Sequence, residues 1–264
     1  MFAYFPLSSL FAIMKSAKRG GQVFFMNAGT RLETVAGLVP PCETAADVGT
    51  DHGYVPALLI QTGRCRKVIA SDIAAGPCDA ARETVARYGL EGAVEVRQAP
   101  GLAGLAPHEV QAVVIAGMGG ATIRMILEEA PAVAATVGTF VLQPMNGQAE
   151  LRAWLSGHGF VIRDEQLCKE RDRLYTILTV SPGKSRPLTK LEALAGPVLL
   201  YEDRPYRLEY LEELHRHYRR LLQQMEQSRE AVASDKYRAW QRLERQLEES
   251  IDACRSEGRH PDPE

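Results

Sequence analysis

From Thr30 onward the chain alternates between two hydrophobic periods. Leu32, Val35, Ala36 and Val39 recur at the spacing of one helix face, and Pro40 and Pro41 stop that helix before a short apolar run over 45–48. The exchange then repeats. VPALLIQ reads as helix, KVIAS as strand, an alanine-rich stretch over 74–88 as helix, AVEVR and AVVIA as strands, TIRMILEE as helix, TFVLQ as strand and ELRAWLSG as helix. Two strand-like runs, FVIRDEQL and LYTILTV, follow with no helix between them. Short β-rich runs separated by helices imply a mainly parallel sheet covered on both faces, and the final pair can close it only as a hairpin. The pattern predicts an α/β domain over 30–183.

After Ser181 the chain passes through SPGKSRPLTK into a charged helical tract, predicted as a second domain over 190–257. Leu208, Leu211, His215, Tyr218, Leu222 and Met225 form one apolar stripe, and Tyr237, Trp240, Leu243, Leu247 and Ile251 form another. Ser234 and Asp235 can cap the second helix where the chain reverses, giving a helical hairpin of coiled-coil character. Arg207, Arg216, Arg219, Arg220, Arg238, Arg242 and Arg245 suit an RNA-gripping arm. Their interleaving with glutamates equally suits solvated partners one helical turn apart.

Composition narrows the field. The chain has 264 residues, 45% of them hydrophobic, enough for one α/β core and a smaller appended unit. Its 31 basic residues face 33 acidic ones, so any nucleic-acid contact must rest on a local patch. Cys42, Cys65, Cys78, Cys168 and Cys254 are odd in number and scattered, without a C-x-x-C pair, which points to a reduced cytoplasmic protein without a structural metal. Residues 1–14 are apolar but too few to span a bilayer, and Lys15, Lys18 and Arg19 follow that run where a secretory signal would have them precede it. Residues 1–29 read as a leader, disordered or ahead of a true start at Met26.

The candidate chemistry gathers where the predicted strands end, the place where open parallel sheets bind ligands. The first strand runs into Asp47, Gly49, Thr50, Asp51, His52, Gly53 and Tyr54, a turn opening onto a helix. Glycines there allow a tight bend and the close approach of a ligand. A glycine-rich turn alone would also serve a nicotinamide dinucleotide. Asp47, Asp51 and His52, however, crowd the place of a pyrophosphate, and they favour a ligand carrying an ammonium and a sulfonium, as S-adenosylmethionine does. Asp72 ends the second strand 25 residues after Asp47, the spacing of a carboxylate that accepts from both ribose hydroxyls. It can also be read as a cap of the following helix.

The string IAGMGG over 115–120, taken in order with DVGTDHGY, SDI, LQP and ELRAWL, closely resembles the bacterial tRNA (adenine-N1)-methyltransferases of the TrmK type, which modify the adenine at tRNA position 22. The likeness runs from Arg31 to Val180. It implies a seven-stranded, Rossmann-like S-adenosylmethionine-dependent methyltransferase domain, with a last antiparallel strand, followed by a C-terminal helical coiled-coil domain. It further implies that residues 47–54 enclose the methionine moiety, that Asp72 and Ile73 hold the ribose and flank the adenine, and that Ala116, Gly117, Met118 and Gly119 line the cavity beneath the methyl group. Small residues at 117, 119 and 120 would let a target base come close to the sulfonium. These glycines also suit a plain strand-to-helix turn.

One departure stands out. The family shows Gly-Asp-Gly-Leu after the third strand, whereas this chain has Ala99, Pro100, Gly101 and Leu102, so the acidic contact to the cofactor adenine is missing. Losing one such hydrogen bond costs about 1 to 2 kcal/mol, and backbone groups of Ala99 or Gly101 are the candidates to replace it. Adenine N1 carries an in-plane lone pair, so the reaction requires alignment and no obligatory base. The target base must leave its stack to expose that edge. His52, Tyr54, Gln143, Asn146 and Arg152 are candidates for the rim that receives it, by stacking, amide recognition and phosphate contact. Each also has a structural explanation: helix-start packing for Tyr54, strand-end hydrogen bonding for Gln143, a surface helix position for Arg152. Two other outcomes stay open, a methyltransferase acting on a different substrate and a non-catalytic RNA-binding homologue. So does the choice between monomer and homodimer.

Overall fold

The computed structural model describes residues 28–257, so the apolar N-terminal run and Met26 lie outside the described residues. Helices and strands alternate in the order α1 (Thr30–Leu38), β1 (Cys42–Val48), α2 (Tyr54–Gln61), β2 (Cys65–Asp72), α3 (Ala75–Arg87), β3 (Val94–Gln98), a 3₁₀ turn (Gly101–Gly104), β4 (Ala112–Met118), α4 (Gly120–Glu129), α5 (Pro131–Ala134), β5 (Thr139–Pro144), α6 (Gln148–Gly157), β6 (Phe160–Glu170) and β7 (Arg173–Pro182). Four helices follow: α7 (Lys190–Ala195), α8 (Arg207–Met225), α9 (Arg229–Ala233) and α10 (Asp235–Glu257). The strands form a seven-stranded sheet in the order β3-β2-β1-β4-β5-β7-β6. Strand order reverses at β1, the arrangement that opens a ligand crevice in doubly wound sheets.

The chain divides into two compact units. The first holds residues up to Ala116 together with 126–141, and the second holds 117–125 together with everything from Leu142 onward. In the first unit, β1 pairs in parallel with β2 on one side and β4 on the other, while β2 pairs with β3. Flanked on both edges, β1 buries its last four residues, Ala45, Ala46, Asp47 and Val48. Its core adds Val35, Leu59, Ala70, Val113, Val114 and Ile115, all at most 4% exposed.

In the second unit β6 and β7 pair antiparallel from Phe160↔Pro182 to Glu170↔Arg173, the hairpin expected from the two uninterrupted strand runs, with one irregularity between Ile162 and Asp164. The helical tract belongs to this unit. Thr189 starts α7 with a reciprocal cap, its hydroxyl accepting from the Glu192 amide at 3.2 Å while the Glu192 carboxylate accepts from the Thr189 amide at 2.8 Å. Helices α8 and α10 lie antiparallel, tied by His215–Glu244 at 2.9 Å, by Tyr218 edge-on to Trp240 and by Tyr237 donating to Glu226 at 3.0 Å. The two predicted stripes meet there: Leu211, Leu247 and Ile251 form a buried cluster with Ala195 and Leu200. Ser234 accepts from the Tyr237 amide at 3.1 Å and so caps α10 as expected, and the short helix α9 fills the reversal ahead of it.

Two arginines are not where the sequence reading put them. Arg207 is 3% exposed and donates to the Leu200 carbonyl at 2.6 Å, which removes it from any surface for RNA. Arg152 and Glu165 are fully buried and joined at 2.7 Å, and the Arg152 Nη1 also donates to the carbonyls of Ala193 and Leu194 at 3.1 and 2.9 Å. Desolvation works against the Arg152 charge, but the Glu165 carboxylate beside it keeps the guanidinium protonated. Glu165 spends its other oxygen on the Val198 amide at 3.0 Å. This pair links α6, β6 and the chain after α7 inside one unit. Truncating one member strands a buried charge. Arg152→Ala is therefore expected to cost about 3 to 5 kcal/mol of stability, read as an earlier midpoint in chemical denaturation, whereas replacing an exposed arginine such as Arg245 by alanine should change it by under about 0.5 kcal/mol.

Candidate active site

In the first unit, the parallel register brings the ends of β1, β2 and β3 level: Asp47 pairs with Ala70, Val48 with Ser71, and Asp72 with Gln98. Beyond Val48 the chain turns at once. The amides of Gly49 and Thr50 both donate to the Ser71 carbonyl, at 2.8 and 2.9 Å, which pins the turn across the end of β2. Gly49, Asp51 and Gly53 take positive φ of 76°, 51° and 69°. At Gly53 the requirement is twofold, because a Cβ would also stand 3.2 Å from Ala81 in α3.

Beneath this turn Asp47 is 3% exposed. Burial pushes its carboxyl up to about 7, with Asp72 adding to the rise, and the Thr50 hydroxyl offsets it in part without reaching hydrogen-bond geometry. Thr50 and Ser71 carry buried hydroxyl oxygens without hydrogen-bond partners. A carboxyl held out of water beside unpaired hydroxyls is an unmet polar demand that a cationic, hydrogen-bonding ligand would satisfy. The residues present fit the ammonium end of S-adenosylmethionine on that ground.

Further residues stand around this turn in the first unit. Asp72 accepts from the Ala74 amide with one carboxylate oxygen at 3.0 Å, which ties down the approach to α3 without capping the helix itself, and its side chain stays partly exposed at the strand end. Ile73 next to it is 69% exposed, an apolar surface standing free where an adenine could stack. Asp51 and His52 approach to 3.6 Å, and the His52 ring stacks on Tyr54 with centroids 5.5 Å apart, both rings open to solvent. The departure at Pro100 is visible here as well. The Ala99 amide is spent on the Asp72 carbonyl at 2.9 Å and Pro100 has no N–H, so neither backbone nitrogen is free to replace the missing contact. Gly101 remains a candidate; its φ is +51° and a Cβ would press on Ile126 at 3.3 Å. Ala116 is the last residue of β4 in this unit.

The second unit begins at Gly117, which continues β4 and has φ +78°. Its amide donates to the Gln143 side chain at 3.2 Å, and the Gln143 Nε2 donates to the Pro144 carbonyl at 3.1 Å. Met118 accepts from the Met145 amide at 2.8 Å, and the Gly120 amide donates to the Asn146 carbonyl at 2.9 Å. The two loops are packed so closely that a Cβ on Gly120 would lie 2.5 Å from the Gly147 carbonyl, and one on Gly119 3.0 Å from the Asn146 side chain. Gln143 is thus a fully buried clamp that fixes Gly117, not a rim residue as expected, while Asn146 is exposed. Arg152 leaves the list of substrate contacts, since its guanidinium is enclosed by Glu165 and backbone carbonyls. Its position inside α6 gave no hint of this, because the partner Glu165 comes from the next element, β6, and helix periodicity does not show which side of the helix that strand covers. Sequence reasoning missed Ser71 and gave Thr50 no role of its own beyond its place in the 47–54 turn; a hydroxyl near each strand end was the only available signal.

Among the described residues one cluster has metal-ligand spacing, His215, Glu244 and Glu248 on α8 and α10, and Arg219 already lies 3.9 Å from Glu244 there. No helix among the described residues is long and apolar enough to cross a membrane.

Comparison with known proteins gives concordant results. Residues 28–178 match the family model described as a methyltransferase domain. Over 153 residues the chain is 34% identical to the tRNA (adenine(22)-N(1))-methyltransferase of Bacillus subtilis, an alignment spanning 58% of this chain and 64% of that enzyme. Among solved structures, a candidate tRNA (m1A22) methyltransferase of Streptococcus pneumoniae superposes with a TM-score of 0.76 at 31% identity, covering 85% of this chain and all of that one. The same protein in complex with S-adenosyl-L-methionine gives 0.70 at 32% identity, covering 84% and 98%.

The buried carboxyl yields a pH signature in the ligand-free protein. Folded Asp47 keeps its proton to about pH 7, against 3.8 for the ordinary carboxyl, so the folded state binds the extra proton between those values. Its contribution is fully present below pH 3.8 and is lost as pH rises through about 7. Denaturant titrations at pH 5 and pH 8 should show wild type losing about 2 to 3 kcal/mol more than Asp47→Asn across that interval. Parallel pH profiles for the two proteins would remove Asp47 as the cause.

Proposed function

This chain belongs to the methyltransferase-domain family and, within it, to the TrmK-type tRNA (adenine-N1)-methyltransferases, and from that premise we propose that it methylates N1 of the adenine at position 22 of tRNA with S-adenosylmethionine as donor. The observation that carries the reading is Asp47: a carboxyl buried at the end of the central strand, under a turn that contains positive-φ residues, with no cation paired to it among the described residues. S-adenosylmethionine supplies an electrophilic methyl group on a sulfonium. The residues of the chain have only to bind, orient and exclude water.

In this proposal Asp47, Gly49, Asp51 and Gly53 hold the methionine end, Asp72 accepts from the ribose hydroxyls, and Ile73 with Gly101 flanks the adenine. Ala116, Gly117, Met118 and Gly119 form the wall nearest the reacting groups, and Gln143 is a positioning residue for Gly117. His52, Tyr54 and Asn146 are the exposed groups offered to the target base, the stacked His52–Tyr54 pair presenting an aromatic face. Adenine N1 needs no base to free its lone pair, which agrees with an assignment that contains no side chain acting as one. Arg220, Arg242 and Arg245 are exposed on α8 and α10 and form no ion pair among the described residues; they are proposed to meet tRNA phosphates. The same reading places the protein in the cytoplasm, where tRNA is processed.

The test is transfer of labelled methyl from S-adenosylmethionine to unmodified tRNA. Label is expected in tRNA with adenine at position 22 and absent when that base is guanine; equal labelling of both would defeat the assignment of the target. Asp72→Ala should weaken cofactor binding by calorimetry at least tenfold, the loss of a charged acceptor for two hydroxyls. Pro100→Asp, which restores the family's acidic residue, should tighten the same binding about tenfold.

A further inference from the structure

Two of the cysteines that look scattered in the sequence are neighbours in the fold. Cys42 opens β1 and Cys65 opens β2, and the two are direct partners in the parallel ladder, with their Sγ atoms 3.2 Å apart. Both thiols are free; Cys42 is half-buried and Cys65 is 4% exposed. They lie at the opposite end of β1 from Asp47, roughly 16 Å away at about 3.3 Å per residue, and take no part in the site described above. Paired strands lie about 4.8 Å apart, inside the range of about 4.4 to 6.8 Å that a disulfide spans between Cα atoms. The sulfurs need to approach by only about 1.2 Å to bond.

We propose that Cys42 and Cys65 form a redox-modifiable dithiol that takes a peroxide as oxidant and closes into a disulfide across the first residues of β1 and β2. The environment distinguishes the two roles. The hydrogen bond shared with Cys65 lowers the Cys42 thiol, against burial and the nearby Glu43 carboxylate. The same bond, together with burial, raises Cys65 despite Arg64. Cys42 is half-buried where Cys65 is 4% exposed, so a peroxide reaches Cys42 first; Cys42 is the attacking sulfur and Cys65 the resolving one. The Cys42 thiolate attacks one peroxide oxygen and the O–O bond breaks; the departing hydroxide takes the thiol proton to give water, leaving a sulfenic acid. Cys65 sulfur then attacks Cys42 sulfur, the S–O bond breaks, and the hydroxyl leaves as a second water with the Cys65 proton. Each sulfur gives up one electron, and the peroxide accepts two.

The closed bond would seal residues 42–65 into a loop containing the turn at 47–54, restricting the unfolded chain while leaving the far strand ends in place. The dithiol thus acts as a clip that hardens the first unit under oxidant. The experiment is peroxide treatment of the purified chain, alkylation of remaining thiols, intact mass and peptide mapping, with thermal melts alongside. The expected result is a mass lower by about 2 Da before alkylation and two fewer alkyl groups after it, a linked peptide joining Cys42 to Cys65, and a melting temperature raised by roughly 5 °C and restored by dithiothreitol. Cys42→Ser and Cys65→Ala should each abolish both the linkage and the rise. Stable oxygen adducts on Cys42, both thiols still alkylated, a linkage to another cysteine, or a lower melting temperature in the linked form would each overturn the proposal.

Discussion

The structure of the candidate site depends on one constraint: β1 is hydrogen-bonded on both edges, so its chain cannot bend until Val48 and must then turn over the end of β2. The Ser71 carbonyl anchors that turn by accepting two consecutive amides. Because the turn sits directly over the strand end, the Asp47 side chain is enclosed instead of solvated, and its carboxyl rises toward neutrality. Positive φ at three of five residues, one of them an aspartate, is the conformational cost of so abrupt an exit.

Enclosure converts an ordinary strand-end aspartate into a group that wants a cation. A carboxylate in water gains little from a distant ammonium, whereas one that has already been desolvated gains from any cation that replaces the lost hydration. The same logic separates the arginines that the fold consumes from those it leaves exposed. Arg152 and Arg207 are consumed by interior carbonyls and, for Arg152, by a buried carboxylate, so their charges serve the second unit's own packing. Arg242 and Arg245 remain on the outer face of α10, where a charge stays available to a partner.

The second unit uses close backbone contact where the first uses charge. Gly119 and Gly120 have no room for a side chain against Asn146 and Gly147, and Gln143 donates and accepts within the same small space. A glycine-rich string therefore has two explanations that coexist: the loops must touch one another, and a substrate must come near them. The first is a matter of geometry already present in the fold. The second belongs to the proposed reaction.

The alternation of elements, the closing antiparallel hairpin, the two helical stripes and the family could all be read along the chain, because each depends on local periodicity or on short ordered motifs such as 47–54 and 115–120. Asp47, Gly53 and Asp72 were legible as candidate site residues for the same reason, since a strand end followed by a tight turn is written in consecutive residues. Tertiary structure alone decided that Arg152 faces Glu165, that Gln143 clamps Gly117, that the Ala99 amide is already taken, and that Cys42 meets Cys65. Each of these joins residues from separate elements. Which partner a buried polar group finds is set by strand register and layer packing, and one sequence read in isolation carries no periodic signal for either.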